Sequence, residues 1–450
     1  MRLIDAQEFG RERLIDLLGK PSFFDAVDLS PGVKAKIRTV FGADLTAEEV
    51  VARIVAAVRE KGDAALCEFS RRIDGVALAP EELEVTAAEF AAAEQAAAQS
   101  PRVMAAIEKA LANVRRFYAD QVPVTRLNVG DGGSLIGQKW TPLDRVGIYI
   151  PGGTAAYPSS VVMNAAPAAI AGVGEIVAAV PPGRDGRVNP FVLAAARRCG
   201  VSRVFKIGGA QAIAALAFGT ATVPKVDKIA GPGNIFVTLA KKAVYGYCDI
   251  DMLAGPSEVL IIADSTADPS YVAADLLSQA EHDPLARCIL LTDDRQLAAA
   301  VAEEIKRQLK ALPRHEVAGA ALGYGGMTIV TGNLAEAAEL ANVIAPEHLE
   351  IMMAEPLKLL PKIRHAGAIF LGPYSPEPVG DYLAGPSHVL PTGGTSRFFS
   401  GLGVETFMKR SSVISYTKEA LTAVGDDIAA LAEAEGLTAH ANAVRIRRLL

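Results

Sequence analysis

The chain has 450 residues, half of them hydrophobic and 21% charged, with a formal net charge of −6. That length exceeds one ordinary core and implies two large domains with smaller additions, and the composition excludes a disordered chain. No basic cluster is dense enough for nucleic acid, and four scattered cysteines (Cys67, Cys199, Cys248, Cys288), with no Cys-x-x-Cys pair, exclude a disulfide framework and fit a reducing cytoplasm.

The first residues, Met1 to Glu8, carry charges where a signal peptide needs an apolar core, so none is expected. Up to about residue 120 the pattern is mainly helical. Ala52 to Cys67 is amphipathic and Ala87 to Asp120 alanine-rich with charges on one side, and no catalytic constellation is visible there. The sole tryptophan, Trp140, is expected just before a strand, packed at a domain seam.

From Arg145 strands alternate with helices. Arg145 to Ile150 ends at Pro151-Gly152-Gly153, and a helix begins near Ser159. Strand Glu175 to Val180, helix Asn189 to Cys199, strand Arg203 to Ile207 and helix Ala210 to Phe218 follow. Strand Val226 to Ala230 and helix Asn234 to Tyr245 complete the run. The most apolar region, Val161 to Val180, is interrupted by Asn164, Pro167 and Glu175, which excludes a membrane span. The alternation restarts at Glu258 to Asp264 and runs through helix Pro269 to His282, strand Arg287 to Leu291 and helix Arg295 to Leu312. Strand Met327 to Thr331 and helix Leu334 to Ile344 come next, with a last strand expected over Ala366 to Leu371. Two such runs imply an α/β fold with two doubly wound, Rossmann-like parallel-sheet domains, flanked by small helical N- and C-terminal segments. The expected division is residues 1–33, a helical segment; 34–144 with 258–400, a discontinuous first α/β domain; 145–257, a second; and 401–450, a helical dimerisation segment. Helices near Lys418 to Glu433 and Ala439 to Leu450 are too short a tail for a core of their own and must pack on another surface.

Polar residues concentrate in a few stretches. Asp268-Pro269 starts a helix that Pro284 stops, placing Gln279 and His282 three apart on its last turn. An amide oxygen beside an imidazole suits a divalent cation if further ligands arrive; taken alone, the pair also fits a polar helix end. Glycine-rich loops stand at Pro151-Gly152-Gly153, Gly208 to Gln211, Gly231 to Asn234 and Gly255-Pro256-Ser257. They suit a dinucleotide's phosphates and equally suit plain strand-to-helix turns, since the Gly-x-Gly-x-x-Gly fingerprint is missing. Glu347-His348, just past a helix end, offers a base and a second proton-transfer group. The stiff stretch from Gly380 to Gly394 carries Asp381 and His388, and Glu435 to His440 carries Thr438 as a cap for the final helix. Of six histidines, His282, His348, His388 and His440 lie in these contexts, while His315 and His365 read as surface residues.

In order along the chain, the strings Gly208 to Thr220, Asp251 to Val259, Ser278 to Pro284, Ala345 to Glu350, Gly380 to Thr392 and Leu437 to His440 resemble the histidinol dehydrogenase family; the first hundred residues do not contribute. The resemblance implies one zinc ion per subunit on Gln279, His282, Asp381 and His440, and Glu347 and His348 as the acid/base pair. It places Ser257, Gln279, His282, His348, Asp381, His388, Glu435 and His440 around the substrate, and Tyr149, Gln211 and Asn234 near NAD. It further implies a cytoplasmic homodimer with exchanged C-terminal segments, so that His440 serves its own or the partner's site.

The activity so implied is oxidation of L-histidinol through L-histidinaldehyde to L-histidine, the last steps of histidine biosynthesis. Two hydride acceptors and one water are needed. Zinc has no redox chemistry, so NAD takes the hydrides. In this assignment His348 takes the alcohol proton and Glu347 activates water. Three other readings compete: a dehydrogenase of the same scaffold acting on another polar alcohol, a zinc hydrolase, and a non-catalytic metal-binding module. Intact Ser257, His388 and Glu435 speak against the first, NAD dependence separates the second, and the acid/base pair disfavours the third.

Overall fold

The structure is a computed structural model that describes residues 1–19, 29–152 and 156–448. Gly153 and the last two residues of the expected final helix therefore lie outside the described residues.

Two parallel sheets carry the molecule. One has the strand order Arg203–Phe205, Glu175–Ala179, Arg145–Tyr149, Lys228–Ala230, Asp249–Ile250. The other has the order Arg2–Asp5, Met327–Val330, Arg287–Thr292, Glu258–Ala263, His348–Met352, Ala368–Leu371. Setting aside the edge strand Arg2–Asp5, both sheets wind in the order 3-2-1-4-5, so the expected duplication exists in topology although no sequence repeat announces it. The central strand Glu258–Ala263 shows why such strands are apolar along most of their length. Leu260 and Ile262 enter one core cluster while Val259, Ile261 and Ala263 enter the cluster on the opposite face. Helices cover both faces, and a parallel strand has no solvent side.

Several expectations needed correction. Arg2–Asp5 is a strand inside the region read as mainly helical, and Asp5 caps the helix Ala6–Phe9 that follows. The helices Pro31–Phe41, Ala47–Lys61 and Asp63–Phe69 bury Ile37, Val50, Ile54, Val58 and Leu66 with Phe205, Ile213 and Ile229 of the five-stranded half. Helix Pro101–Tyr118 likewise joins Ile107, Leu111 and Val114 to Val146 and Ile148. The expected division groups residues 34–144 with 258–400. Amphipathic periodicity shows that a helix has an apolar face but not which sheet receives it.

Trp140 lies within a strand, Leu135–Pro142, at the centre of a three-stranded antiparallel sheet with Arg126–Val129 and Met408–Ser415. There Arg410 stacks over its ring, with 5.8 Å from the guanidinium carbon to the ring centroid. Ala368–Leu371 is thus not the last strand. Glu347-His348, expected just past a helix end, does follow helix Leu334–Ile344, but a strand not expected there, His348–Met352, begins at once, and His315–Tyr324 is a further helix. The C-terminal helices Lys418–Ala434 and Thr438–Arg448 agree with expectation and pack on each other through Ala429, Ala432 and Ala441. No described helix is long and apolar enough to cross a membrane.

Candidate active site

The site begins with one strand of the six-stranded sheet. In His348–Met352 alternate residues face opposite sides: Leu349 and Ile351 enter one core, while His348, Glu350 and Met352 face the side where helix Pro269–Ala280 packs. His348 is 4% exposed and Glu347, just before it, 6%. Both are tied to the amino end of the neighbouring strand. Glu347 Oε2 accepts the Glu258 N–H at 2.9 Å, and His348 Nδ1 lies 3.0 Å from the Glu258 carbonyl, to which it donates. That bond fixes the tautomer, because a carbonyl can only accept. His348 Nε2 then carries the lone pair, and it is buried with no protein partner.

Burial pushes the Glu347 carboxyl well above the ordinary range, and the carboxylates of Glu258, Asp381 and Glu377 push in the same direction. Burial also lowers the His348 imidazole, although Asp381 and the Glu258 carbonyl oppose it. The outcome is a neutral imidazole with one open nitrogen, beside a carboxyl that favours holding its proton.

Against this pair stands a cluster of possible metal ligands. Donor atoms of His282, Glu377 and Asp381 all lie within 4.8 Å of one another. His282 follows the helix end, where its N–H reaches the Gln279 carbonyl at 3.2 Å. Gln279 itself is 1% exposed, and its Oε1 is buried without a hydrogen-bond partner. A buried amide oxygen left unmade costs about 1–3 kcal/mol, so this position fits a ligand atom waiting for a cation. Asp381 and Glu377 sit one turn apart on the short helix Glu377–Tyr382. The expectation of a stiff loop beginning at Gly380 is corrected there, because Asp381 is helical. Glu377 is pushed up to about 9, first by burial and then by Asp381. An oxygen-and-nitrogen donor set of this kind, with an unpartnered amide oxygen, fits zinc.

His388 joins the two halves of the molecule. Its Nδ1 donates to the Asp381 carbonyl at 3.1 Å, and its Nε2 lies 3.4 Å from Ser160 Oγ on helix Pro158–Ala171 of the five-stranded half. Burial lowers its pKa, against the opposing pull of Asp381. The next residue back, Ser387, is anchored by Tyr118, whose hydroxyl accepts the Ser387 N–H at 3.0 Å and donates to the Leu402 carbonyl at 2.8 Å. Ser257 stands half-buried directly before strand Glu258–Ala263.

The expected position of the chemistry needs one amendment. Ligands of parallel sheets usually sit beyond the carboxyl ends of the strands. Here Ser257, Glu347 and His348 lie at the amino ends of the six-stranded sheet. The expected cofactor residues do gather at carboxyl ends, but of the five-stranded sheet. Tyr149 ends its central strand, buried, with its hydroxyl accepting the Gly209 N–H at 3.1 Å; burial pushes that phenol up to about 12. Gln211 Nε2 donates to Asp74 Oδ2 at 3.2 Å, and exposed Asn234 caps helix Ile235–Val244 through Phe236 and Val237. Gly255-Pro256-Ser257 leads into a strand, so it is no helix-start loop.

Glu435 and His440 do not belong to the His282–Glu377–Asp381 cluster of this chain. Both are exposed, Glu435 beyond Lys418–Ala434 and His440 in the first turn of Thr438–Arg448. Glu377 was missed by sequence reasoning. Its i, i+4 spacing to Asp381 is a usable signal once the stretch is known to be helical.

A model of the family described as histidinol dehydrogenase matches residues 41–448. The chain belongs to the histidinol dehydrogenase family. A histidinol dehydrogenase of Heliobacterium mobile is 54% identical over 397 residues, covering 88% of this chain and 92% of the relative. One from Geobacillus kaustophilus is 53% identical over 410 residues, covering 91% and 96%. Among solved structures, histidinol dehydrogenase from Elizabethkingia anophelis matches with a TM-score of 0.90 at 35% identity, covering 99% of this chain and 98% of that one. Membership makes the chain an oxidoreductase and extends the likeness back across the helices before Arg145, which the sequence strings alone had left out.

Proposed function

We propose that this chain is a zinc-dependent, NAD-linked histidinol dehydrogenase that converts L-histidinol through L-histidinaldehyde to L-histidine by two hydride transfers. The observation that carries the reading is the buried Glu347–His348 pair, with an unpartnered Nε2, beside the His282–Glu377–Asp381 cluster. Gln279, His282 and Asp381 would hold zinc, with His440 as the fourth ligand from its own chain or a partner, and zinc there would polarise and orient the alcohol. NAD, on the face lined by Tyr149, Gln211 and Asn234, would accept each hydride.

The chain's own residues account for the protons. His348 Nε2 takes the alcohol proton, since the opposite nitrogen is committed to Glu258 and the lowered pKa keeps the ring neutral. Glu347 activates the water that adds to the aldehyde, for which it must first lose its own proton. Its raised pKa means that this second oxidation should quicken as pH rises. Ser257, His388 and Glu435 would orient the substrate's polar ends.

We also infer a cytoplasmic homodimer with exchanged C-terminal segments. Its support is the apolar surface that the C-terminal segment exposes, including Leu431 at 68%, Ile446 at 51% and Ile414 at 71%, to which Val129 at 75% adds from the sheet shared with Met408–Ser415. A steady-state comparison of L-histidinol with other amino and sulfonated alcohols, before and after chelation, tests the reading. Preference for another alcohol would move the chain to a different substrate on the same scaffold.

A further inference from the structure

The loop after strand Lys228–Ala230 stands at the switch point of the five-stranded sheet, between its first and fourth strands, where the winding direction reverses. Gly231 there has φ +117°, and a Cβ on it would lie 2.2 Å from the Tyr149 carbonyl oxygen. Only glycine fits, so the loop follows a single path against the strand that ends in Tyr149. Both backbone groups of Gly231 are then occupied by one buried ion pair. Its N–H donates to Asp251 Oδ2 at 2.8 Å, and its carbonyl accepts from Lys241 Nζ at 3.0 Å. Lys241 and Asp251 pair with each other, their side chains 3% and 0% exposed, and Asp251 Oδ1 also accepts the Met252 N–H at 2.6 Å.

Burying two charges costs several kcal/mol before their attraction is counted, and an apolar pair of similar volume often gives equal stability. What an apolar pair cannot do is hold a donor and an acceptor of the same residue at once. The pair also reaches beyond the loop. Lys241 lies on helix Ile235–Val244, which Asn234 caps, and Asp251 opens the segment that crosses to the six-stranded sheet and ends at Ser257. Thr238 of the same helix donates to the Ala254 carbonyl at 2.9 Å, a second tether on that crossing.

We propose that Lys241 and Asp251 are a positioning pair that holds the Gly231–Asn234 loop in the conformation that receives the dinucleotide, and thereby sets NAD affinity rather than substrate affinity. The inference rests on reading this face as the NAD site. A ligand whose competent loop is populated only about a tenth of the time binds about tenfold more weakly.

The test is calorimetric titration of the full-length protein with NAD alone, for wild type, the neutral K241M/D251L double variant, and Lys241→Arg. The double variant is expected to fold, by far-UV circular dichroism and gel filtration, and to bind NAD about tenfold or more weakly, with KM for histidinol unchanged. Lys241→Arg, which keeps the charge and donors, should recover part of that loss. An unchanged NAD affinity in the folded double variant overturns the pair's role. Equal weakening toward NAD and histidinol overturns it too, as general loosening. Should the double variant not fold, Asp251→Asn decides by the same criteria. Absence of NAD binding by wild type would instead remove the cofactor reading on which the proposal stands.

Discussion

Glu347→Gln separates proton transfer from architecture. Glu347 Oε2 accepts the Glu258 N–H at 2.9 Å, and a glutamine of the same length can present Oε1 to that donor, so the tie between the two strands survives. Basicity alone is lost. General-base assistance contributes about 10²- to 10⁴-fold, equivalent to about 3–5 kcal/mol of barrier. The loss should fall on the aldehyde-to-acid step, where water must be activated, while alcohol oxidation, whose proton goes to His348, should fall less than about tenfold. The assay is stopped-flow absorbance of reduced NAD, starting once from histidinol and once from the aldehyde. Wild-type aldehyde oxidation should rise with pH toward the raised Glu347 pKa, and the variant should lose that rise. Equal loss in both half-reactions, or an unchanged pH profile, would refute the division of roles.

Other consequences are as specific. Asp74, pushed up to about 6 by burial, is protonated in both folded and unfolded chains below 3.8. Above that the unfolded chain ionises first, so native stability falls as pH rises to about 6, by about 1.4 kcal/mol per unit at most. Asp74→Asn should therefore stabilise the protein by up to about 3 kcal/mol at pH 8 and change little at pH 3.5, read from urea midpoints. Glu377→Ala should weaken zinc binding about 10- to 100-fold in competition with a chelating dye, and wild-type affinity would exclude Glu377 from the cluster's work. Tyr118→Phe strands the Ser387 N–H and the Leu402 carbonyl in the core and should cost on the order of 2 kcal/mol with an unchanged m-value. A free energy within error of wild type would mean that other groups or water satisfy both.

Most of the strand and helix alternation from Arg145 to Ile344 was legible because buried parallel strands are short apolar runs bounded by glycine and proline; the ends of the expected elements agree within a few residues, while the two-residue strand Asp249–Ile250 and helix His315–Tyr324 were missed. What escaped reading was sheet membership and context. Arg2–Asp5 is too short to announce itself, and its pairing with Met327–Val330 joins segments more than three hundred residues apart in sequence. His348–Met352 was hidden because its His348 and Glu350, like Glu347 just before it, are buried polar residues, the place where function overrides pattern. The same exception explains the site. Types and spacing pointed to Gln279, His282, Glu347-His348, Asp381 and His388, and the resemblance gave them their expected roles. Glu377 and the Lys241–Asp251 pair appear only when the fold brings them to their partners.

The reaction we propose is a four-electron oxidation at a zinc-loaded site that passes its electrons to NAD. Counting reduced NAD formed per L-histidinol at completion, on protein as isolated, after chelation and after zinc return, tests it most directly. Two per substrate, lost on chelation and restored by zinc, is the expected result. One per substrate with aldehyde accumulating, or two with no response to chelation, would contradict it.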